Sequence, residues 1–118
     1  MKIAIFAYSR GGCAAARRVL SALPEARACA YAMPRFEETG FLPLSGEVYR
    51  ESFSSADALI FIGACGIAVR EIAPYLASKN TDPAVLCIDE KMRFVIPLLS
   101  GHIGGANDLA RRLAAALG

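Results

Sequence analysis

Residues 57–70 read Asp57-Ala58-Leu59-Ile60-Phe61-Ile62-Gly63-Ala64-Cys65-Gly66-Ile67-Ala68-Val69-Arg70, and the pattern changes period in the middle. Ala58 to Ile62 is an unbroken apolar run that stops at Gly63, the signature of a strand buried on both faces. From about Gly66 onward Ile67, Val69, Ile72, Ala73 and Leu76 recur at helical spacing over more than one face, which predicts a largely buried helix. Pro74 lies within it, removes one backbone donor, and predicts a bend or a stop nearby. A buried strand passing through a glycine turn into a helix is half of a parallel βαβ unit.

The same grammar extends in both directions. Upstream, Lys2 to Tyr8 is a second central strand, Ser9-Arg10-Gly11-Gly12 a glycine turn, and Gly12 to Pro24 a helix carrying Val19, Leu20 and Leu23. Arg27 to Ala32 is a weaker strand, and Met33 to Ser45, with its two prolines and no steady period, reads as loop. Glu47 to Phe53 is a short helix. Downstream, Ser78 to Pro83 is a polar turn and Ala84 to Ile88 another apolar strand. Phe94 to Leu98 follows after only Asp89 to Arg93, and a parallel return needs a dozen or more residues, so this pair is a hairpin whose last strand runs antiparallel at an edge. Gly104-Gly105-Ala106-Asn107 leads into a closing helix, Asp108 to Leu117, with Leu109, Leu113 and Leu117 four residues apart. The expected fold is one α/β domain over residues 1–118. It has three layers, α-β-α, around a flavodoxin-like, mostly parallel sheet of about five strands with an antiparallel edge hairpin.

Composition narrows the function. The 118 residues are 55% hydrophobic and 20% charged, with a formal net charge of +2 and no basic run, so the chain has a core to bury and a poor surface for nucleic acid. Neither a signal peptide nor an apolar span of about 20 residues is legible, which predicts a soluble cytoplasmic protein without a membrane partner. Cys13, Cys29, Cys65 and Cys87 stand far apart and are expected to be reduced, buried small hydrophobes, with Cys65 singled out because its loop opens a helix.

Two groups of residues are placed to do chemistry. Ser9-Arg10-Gly11-Gly12 and Gly63-Ala64-Cys65-Gly66 each follow a strand and open a helix, the position at which open α/β sheets bind anions. Neither is a Walker loop or a dinucleotide fingerprint, and tight packing explains them equally well. The densest signal is Pro97-Leu98-Leu99-Ser100-Gly101-His102-Ile103-Gly104-Gly105-Ala106-Asn107, which holds the single histidine among three glycines, with Ser100 and Asn107 offering a hydroxyl and an amide. A demanding structural turn is the competing explanation. The hairpin topology places Lys79 and Asp82 beside Ser100 and His102, with the two glycine turns at the opposite sheet edge. Arg70, on an otherwise apolar helix, either holds a carboxylate or pairs with Glu71 or Asp89.

Gly63 to Arg70, Ile72-Ala73-Pro74, Lys79 with Asp82-Pro83-Ala84-Val85, Asp89-Glu90 and the Pro97 to Asn107 stretch resemble the N-terminal domain of the cobalamin biosynthesis protein CbiG, the cobalt-precorrin-5A hydrolase family. The resemblance runs from about Ser52 to Leu117. It implies water-dependent opening of a lactone on a cobalt-corrinoid substrate of anaerobic cobalamin biosynthesis, with a two-carbon fragment leaving as acetaldehyde and no oxidation. Cobalt would enter only as part of that substrate, and no cofactor of the protein's own is implied. The substrate's acetate and propionate groups would be held by Gly63, Gly66, Arg70, Lys79, Ser100, Gly101, Gly104, Gly105 and Asn107. His102 would transfer protons, and Asp82 would orient it or a water.

Lys91-Met92-Arg93 occupies a hairpin turn where glycine is common in the family. Family members also continue into further domains, so the chain is expected to be a piece of a longer protein or one half of a split gene. Its partners would be the remaining CbiG domains or a separate chain supplying them. Two alternatives from other classes stand beside the enzyme. One is a non-catalytic corrinoid-binding or domain-interaction module, and the other is a flavodoxin-like nucleotide binder.

Overall fold

Short apolar runs that cannot bury themselves alone are satisfied by lying side by side, and here they form one sheet. The computed structural model describes residues 1–100 and 105–118. In chain order the elements are β1 (Lys2–Ala7), α1 (Arg10–Ala22), β2 (Arg27–Ala32), β3 (Leu42–Pro43), α2 (Gly46–Ser55), β4 (Ala58–Ile62), α3 (Cys65–Ile72), β5 (Ala84–Ile88), β6 (Val95–Leu99) and α4 (Ala106–Leu117). Short 3-10 turns occupy Pro34–Phe36 and Ala73–Tyr75. The sheet order is β3-β2-β1-β4-β5-β6, parallel except for the antiparallel β5-β6 hairpin.

The strand count is six rather than about five. The extra member, β3, is a two-residue edge pairing of Leu42 and Pro43 with Tyr31 and Ala32, inside a stretch expected to be pure loop. Two residues carry no period that sequence reading can detect. Without β3 the order reduces to the flavodoxin-like 2-1-3-4-5.

Alternation along the strands builds two cores. Ile3, Ile5, Ile60, Ile62, Leu86 and Ile88 meet Ala16 and Val19 of α1 and Leu109 and Leu113 of α4 on one face. Phe6, Leu59, Phe61 and Val85 meet Tyr49 and Phe53 of α2 and Ala68 and Ile72 of α3 on the other. The β1–β4 register sets Phe6 opposite Phe61, with ring centroids 4.8 Å apart, and both rings are fully buried.

α1 begins at Arg10, two residues before the sequence reading, because Ser9 caps it: the Ser9 Oγ accepts the Gly12 N–H at 2.9 Å. Gly12 lets the helix sit tight on the sheet, since a Cβ there would lie 3.2 Å from the Ser9 Oγ and 3.5 Å from the Ile62 carbonyl oxygen. Pro74 stops the regular part of α3 as expected, falling in the 3-10 turn that follows Ile72. The expectation of a largely buried α3 is corrected. Only Ala68 and Ile72 are buried, because an eight-residue helix lying on one sheet face presents a single narrow stripe to it, and Val69 and Leu76 are left in solvent.

Candidate functional site

The carboxyl edge of the parallel strands contains a topological switch point. β1 leads through α1 outward to β2, while β4 leads through α3 the opposite way to β5, and the two chains diverge between neighbouring strands. Tyr8, Ser9, Gly63, Cys65, Cys87 and Glu90 gather there. The Ser9 Oγ donates to the Glu90 carboxylate, which also stands 3.5 Å from where a Cβ on Gly11 would lie. The Gly63 N–H donates to the Ile88 carbonyl at 2.8 Å, and the Cys87 thiol to the Gly63 carbonyl at 3.3 Å. The start of α1 is therefore filled from within the chain by an acid, which favours tight packing over an anion site for that turn. At the start of α3 the surroundings are open: Ala64 offers no side-chain cap, and nothing lies within 4 Å of a Cβ built on Gly66.

Glu90 and Tyr8 carry this edge and were not singled out as site residues. The legible signal was the acidic pair Asp89-Glu90 directly after an apolar strand. Tyr8 gave no signal, because its partner is remote in sequence. The Tyr8 and Tyr49 hydroxyls lie 2.6 Å apart. Burial, followed by that hydrogen bond, pushes the Tyr8 phenol far above its ordinary range, and burial raises Tyr49 as well. Burial pushes the Cys87 thiol up to about 12, with the neighbouring Cys65 thiol adding to the effect.

The amino edge of β5 holds the second group. β6 runs antiparallel, with Leu99 opposite Val85, and this brings Ser100 back to the loop before β5, where its Oγ donates to the Asp82 carbonyl at 3.0 Å. The juxtaposition of the Asp82 loop with Ser100 is as the hairpin topology requires. The Asp82 carboxylate accepts the Ala77 N–H at 3.0 and 3.2 Å, so its side chain braces its own turn. Lys79 is exposed on the same loop. Ser100 adopts φ 58° and Gly105 φ 82°, both left-handed, and the Ala106 N–H donates to the Ser100 carbonyl at 3.2 Å, tying the two ends of the intervening segment. Asn107, in the first turn of α4, lines a cavity of about 280 Å³ with Val95 and Pro97 of β6 and Ala110, Arg111 and Ala114 of α4.

Gly101, His102 and Gly104 lie outside the described residues. Of the other sequence-predicted residues, Asp82, Lys79, Ser100, Gly105 and Asn107 belong to the amino edge, whereas Gly63 and Gly66 belong to the carboxyl edge. Arg70 stands exposed in the last turn of α3. Its expected pairing with Glu71 or Asp89 is not made: among the described residues Arg70 has no ion pair, and Asp89 instead accepts the Arg93 and Phe94 N–H groups at 2.7 and 2.8 Å. That bracing holds the turn at Met92, which takes φ 58° without being glycine.

All four cysteines are free. Cys13 and Cys87 are buried as expected, but Cys29 is exposed and Cys65 half-buried. Cys29 lies on β2 near the sheet edge, where α2 covers its face incompletely. Among the described residues no three His, Cys, Asp or Glu side chains converge as a metal site, and no helix is long and apolar enough to cross a membrane.

Comparison with known proteins agrees with this architecture. The solved structure of a cobalamin biosynthesis protein G homolog from Sulfolobus solfataricus superposes with a TM-score of 0.73 at 32% identity, covering 98% of this chain and 34% of that one. The cobalt-precorrin-5A hydrolase of Salmonella typhimurium is 47% identical over 119 aligned residues, which is 98% of this chain and 33% of that protein. The cobalt-precorrin-5A hydrolase of Priestia megaterium is 58% identical over 65 residues, 55% of this chain and 17% of that protein. The chain thus spans about a third of the length of the Salmonella relative. The profile of the family described as Cobalamin synthesis G N-terminal matches residues 47–118, and with well over half of its length inside that match the chain belongs to this family.

Proposed function

We propose that the chain is the N-terminal part of a cytoplasmic cobalt-precorrin-5A hydrolase of cobalamin biosynthesis. The single observation that carries the proposal is 47% identity, over 98% of this chain, to a protein of that name. In the reaction, water opens a lactone on the cobalt-corrinoid and the carbon–carbon bond to a two-carbon substituent breaks, releasing acetaldehyde. No electrons enter or leave, so the protein's task is to move protons and hold a polyacidic substrate.

His102 is the side chain whose ordinary pKa suits proton transfer near neutrality. Asp82 orients it or a water, and Ser100, Gly101, Gly104, Gly105 and Asn107 supply donors around it. The tie from the Ser100 hydroxyl to the Asp82 main chain supports this grouping, because it joins the two polar loops that flank the histidine in sequence. Lys79 and Arg70 hold substrate carboxylates, and the open turn at Gly63 and Gly66 offers backbone N–H groups to another. The remainder of such a hydrolase, in the same chain or a second one, completes the cleft.

One observation favours the alternative of a non-catalytic binding or interaction module: the Asp82 carboxylate is already engaged by Ala77. The deciding experiment joins this chain to the portion of the Salmonella relative outside the match and supplies cobalt-precorrin-5A. Loss of acetaldehyde release in His102→Ala with substrate binding intact is the expected result. Unchanged release removes His102 from the chemistry and leaves the binding module.

A further inference from the structure

The two faces of β6 are treated unequally. On one face α4 packs across β5 and β6. On the other, α2 and α3 lie over β4 and stop short of β6. The direction of α3 follows from its neighbours. Glu71 acts on Tyr49 of α2, so that flank of α3 faces α2. Cys65 lies beside Cys87 of β5, so the flank carrying Cys65 and, one turn on, Val69 faces the hairpin.

Ile96 pairs with Cys87 across the β5–β6 ladder and therefore points out of the same sheet face. Val69 is 52% exposed, Leu76 50%, Phe94 65% and Ile96 41%, and only Met1 and Leu42 among the described large hydrophobic residues are comparably bare. The uncovered side chains thus line one corner of the sandwich, where a layer is missing.

Charge is arranged about that corner in one sense. Arg70, Lys91 and Arg93 are exposed and make no ion pair among the described residues. The nearby acid Asp89 is turned inward onto the Arg93 and Phe94 N–H groups. A partner seated there needs an apolar ridge with carboxylates around it. Strand addition along the open edge of β6 is disfavoured, since Pro97 interrupts that edge.

We infer that the strip formed by Val69, Leu76, Phe94 and Ile96 is where the remaining two thirds of a longer homologous protein packs, through an apolar ridge rimmed by Asp and Glu. The occupant is chosen on two grounds: the chain spans only a third of relatives that it matches almost end to end, and the rim is cationic. The inference rests on the family reading but not on the chemistry of the reaction.

The test is hydroxyl-radical footprinting of this chain alone and of the same chain joined to the unmatched portion of the Salmonella relative, with acetaldehyde release measured in parallel. Modification of Leu76 and Phe94 is expected to fall at least fivefold in the joined protein, while Leu42, equally exposed at the far sheet edge, is unchanged. Equal modification of Leu76 and Phe94 in both forms of the protein overturns the inference even if acetaldehyde is released. Protection already present in the isolated chain, and growing with its concentration, makes the occupant a second copy and overturns it too. Protection without acetaldehyde release upholds the interface and counts against the proposed reaction alone.

Discussion

The side-chain hydroxyl of Ser100 donates to the main-chain carbonyl of Asp82 at 3.0 Å, and this bond fastens the end of β6 to the loop before β5. Ser100 holds a left-handed φ of 58° while making it. Ser100→Ala removes the bond and keeps the Cβ, so it is expected to cost about 1 kcal/mol. Ser100→Gly loses the same bond but relieves the left-handed backbone, worth roughly 1 kcal/mol, and should fall between wild type and alanine. Urea unfolding of the three proteins gives the order.

The hairpin turn depends on Asp89 as an acceptor rather than as a charge. One of its oxygens, Oδ1, takes both the Arg93 and Phe94 N–H groups. Asp89→Asn retains an amide oxygen that can face both donors and is expected to lose less than about 1 kcal/mol. Asp89→Ala strands two backbone donors and should cost about 1–3 kcal/mol, read as a fall in thermal midpoint of several degrees.

Alkaline pH is expected to weaken the fold through Tyr8 and Tyr49. Their folded pKa values are raised above the ordinary 10.0, mainly by burial. Below pH 10 both folded and unfolded chains keep these phenols protonated, and the full stabilisation is present. Above it the unfolded chain ionises first, so stability declines as pH rises. Urea midpoints should be level from pH 7 to 9 with respect to these groups and fall beyond 10. Tyr8→Phe should show a shallower fall than wild type, and absorbance at 295 nm should show fewer phenols ionising in the folded protein than in urea.

Phe6 is the keystone of the α2–α3 side of the sheet. It is fully buried, with ring centroids 4.8 Å from Phe61, 5.0 Å from Tyr49 and 5.6 Å from Tyr31. Phe6→Ala is expected to cost about 3–5 kcal/mol, a large part of the stability of a domain this size, and Phe6→Leu less than half as much. Denaturant titration distinguishes them.

Local pattern was enough to read most of the architecture. Ala58–Ile62 and Ala84–Ile88 are runs in which every residue is apolar, and only a strand flanked by helices on both sides buries all of them. The short link from Asp89 to Arg93 forbids a crossover, so the antiparallel edge followed from chain length alone. The polar loops before β5 and after β6 could be placed together for the same reason. His102 and the glycines beside it were visible as a composition anomaly, without any geometry attached.

Other features depended on partners far apart in sequence. β3 is too short to have a period, and it exists because Tyr31 and Ala32 offer it a ladder. The Tyr8–Tyr49 and Ser9–Glu90 contacts span 41 and 81 residues, respectively, and no local window contains both members of either pair. The apolar face of α3 was plain in its residues, but its period cannot say which part of that face meets α2, which meets the sheet and which is left bare. A helix carries its hydrophobic stripe wherever it goes, and only the position of its neighbours decides how much of the stripe is covered.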